Sequence, residues 1–417
     1  MVRNKKKLIN DPVYGFITIP YELVFDLVEH PYFQRLRRIK QLGLTHYVYP
    51  GALHTRFHHA LGAVHLMTQA IDSLRMKEIE ITDEEAEAVT IAILLHDIGH
   101  GPFSHALEHT IVKNVHHEDL SLLFMERLNQ LFDGRLGLAI QIFRDQYHKP
   151  FLHQLVSSQL DMDRMDYLTR DTFFTGVHEG VIGYDRIIKM LSVHEGDLVV
   201  EEKGLYSIEK FLVARRLMYW QAYLHKTVLS AEQMLIRTLT RAKELANLGA
   251  QLPVTKKLAY FLYENISFEA FRDPNSKALD NFAQLDDFDV VAGLKSFVDH
   301  ADFTLAFLSR GIINRNLLKV NLKNEPFDSD LINKLRLKVE LAFEGAQVQS
   351  EYLVFSGSET NSNYSTRKRE IKIAFKDGRV LPMSETSDHG ISPREVIKYY
   401  LCFPKEIRKI PEDILTS

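Results

Sequence analysis

Eleven of the nineteen histidines lie between His46 and His117, and at the heart of this run stands His96-Asp97-Ile98-Gly99-His100. The preceding stretch, Ala86 to Leu95, is apolar except for Glu87 and Thr90, which predicts a helix covered by protein on most sides. An ionised aspartate at the end of such a helix needs a cation. With imidazoles beside it and another at His59, a divalent metal is the natural partner. Adjacent helical side chains diverge by about 100°, which suits His96 and Asp97 as neighbouring corners of an octahedron. A fourth ligand is expected from the acidic segment Gln159 to Tyr167, which offers Asp161, Asp163 and Asp166. A mixed histidine and carboxylate set suits Fe, Mn or Mg, leaves Zn and Ni open, and keeps positions for water and phosphate. An isolated His-Asp pair is more often a backbone-bonded cap. A second histidine-bearing helix and an acidic helix turn that balance toward metal.

The elements that must position these groups are readable from periodicity. Residues 8–20 suggest a short extended pair, and Tyr21 to Gln41 a helix interrupted at Pro31. A further helix carries His58, His59 and His65. Thr82 with Glu85 marks the start of the apolar helix as a capping box, and Gly101-Pro102 marks its end. Segments 119–132, 150–174 and 207–246 are helical in pattern. Between the last two, 192–206 reads as a hairpin around Gly196-Asp197. Beyond residue 320 the chain turns strand-like at Glu351–Phe355, Glu370–Phe375 and Val380–Met383, and the polar stretch Ser356–Arg369 is the expected mobile loop. This predicts a mainly α protein with small β-hairpins, a helical unit over 1–320 and a small α+β region over 321–417.

A chain of 417 residues can bury a full core. A net charge of -4 provides no overall basic field, so nucleic-acid binding is not expected, although a local basic pocket stays open. Cys402 is the single cysteine, which excludes an internal disulfide and fits a reducing compartment. No signal peptide and no membrane span is read, and a cytoplasmic protein is expected.

The set His59, His96-Asp97 and Asp163 resembles the H…HD…D pattern of the HD-domain phosphohydrolases. Phe33-Gln34-Arg35-Leu36-Arg37, Gln41-Leu42-Gly43, Thr55 to His59, His96 to His105, and Asp163 to Tyr167 with Arg170-Asp171 are similar to the deoxynucleoside triphosphate triphosphohydrolase branch. That branch includes the mammalian SAM- and HD-domain enzyme. The likeness is dense from Leu8 to Lys226 and thinner in Leu285-Asp286-Asp287 through Leu318. It implies an HD helical core that hydrolyses deoxynucleoside triphosphates to deoxynucleoside and inorganic triphosphate with a metal-activated water.

The resemblance assigns His100, His105 and His117 to phosphate contact and proton transfer, with His117 as general acid oriented by Glu108. Arg56, Arg164 and Arg215 are candidate phosphate clamps, since a guanidinium presents a planar donor fork. Glu108 stands where the family often has Asp, and Arg164 where it has Lys. The resemblance puts Tyr167 against the sugar, Asp171 and Gln41 at its 3′-hydroxyl, and Tyr223 near the base. Asp161 is expected to be a backbone cap or arginine partner, and Asp166 a salt-bridge residue behind the metal. Lys7, Asn10 and Arg37, with Glu29 in place of Asp, match a regulatory nucleotide site between subunits. A nucleotide activator and a homo-oligomer, dimer or tetramer, are therefore also implied. The rival readings are an HD nucleotidase or phosphodiesterase acting on another phosphate ester, a non-catalytic nucleotide-sensing module, and a nucleic-acid-binding role.

Overall fold

Two short strands open the chain because Gly15, at φ 77°, lets the backbone reverse. Strand β1 (Leu8–Asp11) pairs antiparallel with β2 (Gly15–Thr18). The Asp11 carboxylate accepts from the amides of Val13 and Tyr14 and so holds the turn. The computed structural model describes residues 7–103, 110, 112, 115–362, 370–387 and 395–409.

Helix α1 (Glu22–Glu29) stops before Pro31, whose ring disfavours a helical residue ahead of it. The chain then makes a helical turn over Pro31–Gln34 and a 3-10 turn over Arg35–Arg38. The helix expected up to Gln41 is thus three short pieces. Helix α2 (Arg56–Arg75) carries His59, and His58 closes its capping box with Thr55. Helix α3 (Asp83–Leu95) begins at the expected box: Thr82 Oγ1 accepts from the Glu85 amide, and Glu85 accepts from the Thr82 amide at 2.8 Å. From Glu85 onward every residue of α3 except Glu87 is buried.

The sequence pattern runs α3 toward His100, but the helix ends at Leu95. Ile98 and His100 donate to the carbonyls three residues back, a tightened turn that satisfies the last carbonyls. His96 and His100 therefore do not share a helix face. Helix α4 (His117–Leu131) follows, then helices Gly137–Phe143 and Pro150–Val156. The single helix expected over 150–174 is broken at Ser157–Leu160, because Asp161 turns inward to cap α5 (Met162–Thr175). Strands β3 (Leu191–His194) and β4 (Asp197–Glu201) form the expected hairpin.

Helix α6 (Leu205–Met218) widens into a π turn at Tyr219–Tyr223 before α7 (Lys226–Asn247), where one continuous helix was expected. Helices α8 (Asp287–Phe297) and α9 (Phe303–Ile313) precede β5 (Lys319–Lys323) and α10 (Ser329–Ala342). The expected strand at Glu351–Phe355 starts as a helical turn, Ser350–Leu353. Tyr352, Leu353 and Val354 are all buried there, and burial of successive residues overrides alternation. The loop expected from Ser356 is instead strand β6 (Phe355–Ser362), with Gly357 lying under the Tyr400 ring. Residues 363–369 fall outside the described set.

The remaining strands are β7 (Lys372–Ala374), β8 (Val380–Pro382) and β9 (Glu395–Phe403). The sheets run β3-β4-β7-β8, with β4 and β7 parallel, and β5-β9-β6. The region after residue 320 thus completes one sheet begun by the β3–β4 hairpin and another begun by β5. In the helical core α2 packs against both its neighbour α3 and the sequence-distant α5, so the three helices meet along one seam.

Candidate active site

That seam brings His59, His96, Asp97 and Asp163 together. His59 Nε2 lies 3.1 Å from Asp163 Oδ1 and 3.8 Å from Asp97 Oδ2. His96 Nε2 lies 3.3 Å from Asp97 Oδ1, 3.5 Å from Asp163 Oδ1, and 3.4 Å from His59 Nε2. The outer nitrogen of each ring is already committed. His59 Nδ1 donates to Asp166 Oδ2 at 2.7 Å, and His96 Nδ1 donates to the Ile93 carbonyl at 2.6 Å. Both Nε2 atoms therefore turn lone pairs toward the same point as two carboxylates. His59, His96 and Asp163 each bring a ligand atom close enough together to hold a divalent ion, with Asp97 beside them.

The electrostatics agree. Burial alone would lower His59, but hydrogen bonds to Asp163 and Asp166 outweigh it and hold the ring up to about 10. Burial would raise Asp163 and Asp97, yet the facing imidazoles hold both well below the usual carboxylate range. The protein has built a field that calls for positive charge.

Behind His59 runs a buried relay. Arg170 spans both Asp166 oxygens at 3.0 Å and donates to Asp11 Oδ2 at 2.7 Å. The first turn of the chain is thereby tied to the metal centre. Gly62 makes room for this pair, since a Cβ there would sit 1.9 Å from Asp166 Oδ1. Asp161, two residues before Asp163, accepts from the amides of Ser158 and Arg164 at 2.7 Å and does not join the ligands.

The turn after His96 is held from α4. Ser121 Oγ accepts from the Gly99 amide at 2.9 Å and donates to the His96 carbonyl at 2.7 Å. A Cβ on Gly99 would meet the His117 carbonyl at 2.2 Å, so α4 can approach only a glycine. That approach stacks His117 on His100, with centroids 3.8 Å apart and planes 17° from parallel. His100 Nε2 lies 3.2 Å from Asp97 Oδ1, and burial followed by the Arg56 charge lowers it to about 3. Asp97, His100 and His117 also bring one ligand atom each close together, a second group that could hold an ion. His105 and Glu108 lie outside the described residues.

A cavity of about 460 Å³ is lined by Gln41, Arg56, Phe103, Tyr219, Tyr223 and Glu232, among others, and Arg56 is the lining residue that links it to Asp97. Arg56 reaches from it to Asp97, with Nη1 on Oδ2. Gln41 Oε1 is buried with no partner among the described residues. Asp171 accepts from His54 Nε2 at 2.8 Å and from the Tyr223 hydroxyl at 2.7 Å. Tyr223, expected near a base, thus holds its hydroxyl on Asp171. Burial raises the Tyr167 phenol, with the charges of Arg164 and Arg215 acting against it. Arg164 Nε also donates to the Ser158 carbonyl at 2.7 Å.

The four residues matched to a regulatory site lie on the outer face of the N-terminal elements. Lys7 Nζ sits 3.6 Å from the Phe25 ring centre, Asn10 is in β1, and Glu29 ends α1. Arg37 stacks over Phe57 at 3.5 Å and donates to Gln34.

His54 and Ser121 carried no signal that sequence reasoning used. His54 is 1 % exposed and stacked on Phe174.

Residues 56–171 match the HD domain, and 182–252 match the HD associated region. The uncharacterized protein YwfO of Bacillus subtilis is 30% identical over 97% of this chain and 93% of its own length. A deoxynucleoside triphosphate triphosphohydrolase SAMHD1 homolog of Dictyostelium discoideum is 31% identical over 61% of this chain, and the match spans 53% of that protein. A crystal structure of a phosphohydrolase from Bacteroides thetaiotaomicron is 53% identical with a TM-score of 0.92, covering 96% of this chain and 100% of that one. Among the described residues no helix is long and apolar enough to cross a membrane. A relative matched along nearly its whole length, and a phosphohydrolase sharing over half its residues and almost all its fold, settle the membership: this chain is a metal-dependent phosphohydrolase of the HD-domain family.

Proposed function

We propose that the protein hydrolyses deoxynucleoside triphosphates to deoxynucleoside and inorganic triphosphate. The observation that carries this reading is a cavity lined by Gln41, Arg56, Tyr219 and Tyr223 and joined to the His/Asp cluster through the Arg56–Asp97 contact. Its volume of about 460 Å³ falls in the range of small-molecule sites. The likeness to the dNTP triphosphohydrolase of Dictyostelium supports it.

A divalent ion held by His59, His96, Asp97 and Asp163 supplies a Lewis acid and an activated nucleophile. The chain's own groups do the rest. Arg56 offers a guanidinium for phosphate charge next to Asp97, and Arg164 and Arg215, whose charges act on Tyr167, are assigned to the polyphosphate tail. Gln41 Oε1 accepts a sugar hydroxyl. His117, stacked on His100, carries the proton for the leaving sugar oxygen. Tyr167 crowds the 2′ position of the sugar. Lys7, Asn10, Glu29 and Arg37 are assigned to a nucleotide activator bound between subunits of a homo-oligomer. The protein is placed in the cytoplasm, with Mn or Fe the first metals to test.

The test is a product panel. Purified protein is incubated with each dNTP, singly and in mixtures, with Mn²⁺ or Fe²⁺. Deoxynucleoside and inorganic triphosphate are expected. Release of orthophosphate alone, or turnover confined to monophosphates or diesters, overturns the reading in favour of another HD reaction. Metal binding with no turnover on the full panel favours a nucleotide sensor. Loss of both metal and turnover in Asp97→Ala is the accompanying expectation.

A further inference from the structure

Asp287 directly, and Leu285 through Arg35, reach the active-site turn from a part of the chain that neither family match covers. Leu285, Asp286 and Asp287 lead into α8, well after the matched segments 56–171 and 182–252. Asp287 is 4% exposed. Its Oδ1 accepts from the Phe103 amide at 3.2 Å, and its Oδ2 from the Lys40 amide at 2.9 Å. The Leu285 carbonyl accepts from Arg35 Nη1 at 3.2 Å, and the same guanidinium donates through Nη2 to the Ile98 carbonyl at 2.7 Å. Asp286 holds the side chain of Arg38.

Each contact lands beside the chemistry. Ile98 follows the ligand Asp97. Phe103 closes the same turn and lines the cavity, at a φ of 51° that side-chain-bearing residues seldom adopt. Lys40 precedes Gln41, and its segment is laced to the start of α2: Lys40 bridges Thr55, and Arg56 donates its amide to Ile39 at 2.9 Å. One carboxylate therefore joins the two walls of the cavity. Only an acid can do this with two acceptor oxygens and no donor, since an amide would turn an N–H toward one of the two backbone N–H groups.

We propose that Leu285–Asp287 is a clamp that positions the turn His96–Phe103 against the Gln41 wall, with Asp287 as the positioning residue for hydrolysis. Asp287 touches neither metal nor substrate in this reading. It sets the distance between the ligands on one wall and the substrate-holding groups on the other. The clamp rests on the metal centre and the cavity, and is independent of which phosphate ester fills them.

The test compares Asp287→Asn with Asp289→Ala. Asp289 accepts from the Asp286 amide and from Thr255, so its loss weakens the start of α8 without touching Phe103 or Lys40. Amide hydrogen exchange is measured on peptides covering 36–44 and 96–103, with 83–95 as reference. In Asp287→Asn, exchange in the first two segments should rise about tenfold or more while the reference stays protected. Mn²⁺ stoichiometry should be retained and kcat should fall about 10- to 100-fold, with KM changing less. Asp289→Ala should lower the melting temperature and leave those two segments and kcat near wild type. Unchanged exchange in Asp287→Asn, or equal effects from Asp289→Ala, overturns the clamp. The exchange measurement needs no substrate, so it decides the matter whatever the product panel returns.

Discussion

Replacing Asp166 with asparagine probes the metal centre from behind. The wild-type carboxylate accepts from His59 Nδ1 on one oxygen and spans Arg170 with both. Asparagine keeps one oxygen and sets an NH₂ group against either the imidazole or the guanidinium. If it faces His59, the ring must move its proton to Nε2, the atom aimed at the metal. If it faces Arg170, a fully buried guanidinium loses half of its fork. Losing an outer partner of a metal-bound histidine weakens metal binding about 10- to 100-fold, or about 1.4–2.7 kcal/mol. Disturbing the buried ion pair costs about 3 kcal/mol of stability, the lower end for broken buried pairs, because Asp11 still holds Arg170. Mn²⁺ titration calorimetry after chelation reads the first effect, and thermal unfolding the second. Asp11→Asn is the control. It loosens Arg170 but leaves the His59–Asp166 bond, so stability should fall while metal affinity holds. A folded Asp166→Asn protein that binds Mn²⁺ as tightly as wild type would refute the argument that tautomer control prepares the site.

Two further outcomes are expected. Gly99→Ala pushes a methyl into the His117 carbonyl and the Ser121 amide, both backbone, so α4 must back away. Overpacking of this kind costs about 1–3 kcal/mol, and the separation of His117 from His100 should also reduce kcat; unfolding curves and kinetics check both. Glu85 is buried, which would raise it, but the Thr82 amide, Tyr147 and Lys149 together lower it below its ordinary value. A depressed carboxylate contributes stability above its unfolded pKa and loses it as pH falls through the folded one. Wild type should therefore exceed Glu85→Gln by about 1–3 kcal/mol at pH 7, with the gap closing below pH ~4; a gap that persists in acid refutes the assignment.

The His/Asp cluster that could hold an ion was legible because its chemistry is local and its residue types are narrow. A buried helix that ends in His-Asp needs positive charge, and the later acidic run offered few candidates. Residue chemistry left Asp161, Asp163 and Asp166 all open, and the family resemblance singled out Asp163. Helix boundaries were less legible where a tertiary contact decided them. Leu95 ends α3 because Ser121, far along the chain, takes up the backbone beyond it. Nothing local marks the π turn at Tyr219, and Ser350–Leu353 became a helical turn, with Tyr352 to Val354 buried, through packing on α7 and α9. His54 escaped notice for the same reason. Its role exists only once Asp171 on α5 comes within 2.8 Å.

The β5-β9-β6 arrangement also bears on how the protein is made. Neither flanking strand has the other as a neighbour; each depends on β9, which is synthesised after both. During translation the two therefore emerge with unsatisfied backbone edges, and such edges recruit other chains. A nascent chain stalled between residues 362 and 395 would be the aggregation-prone species, and chaperone demand should peak there.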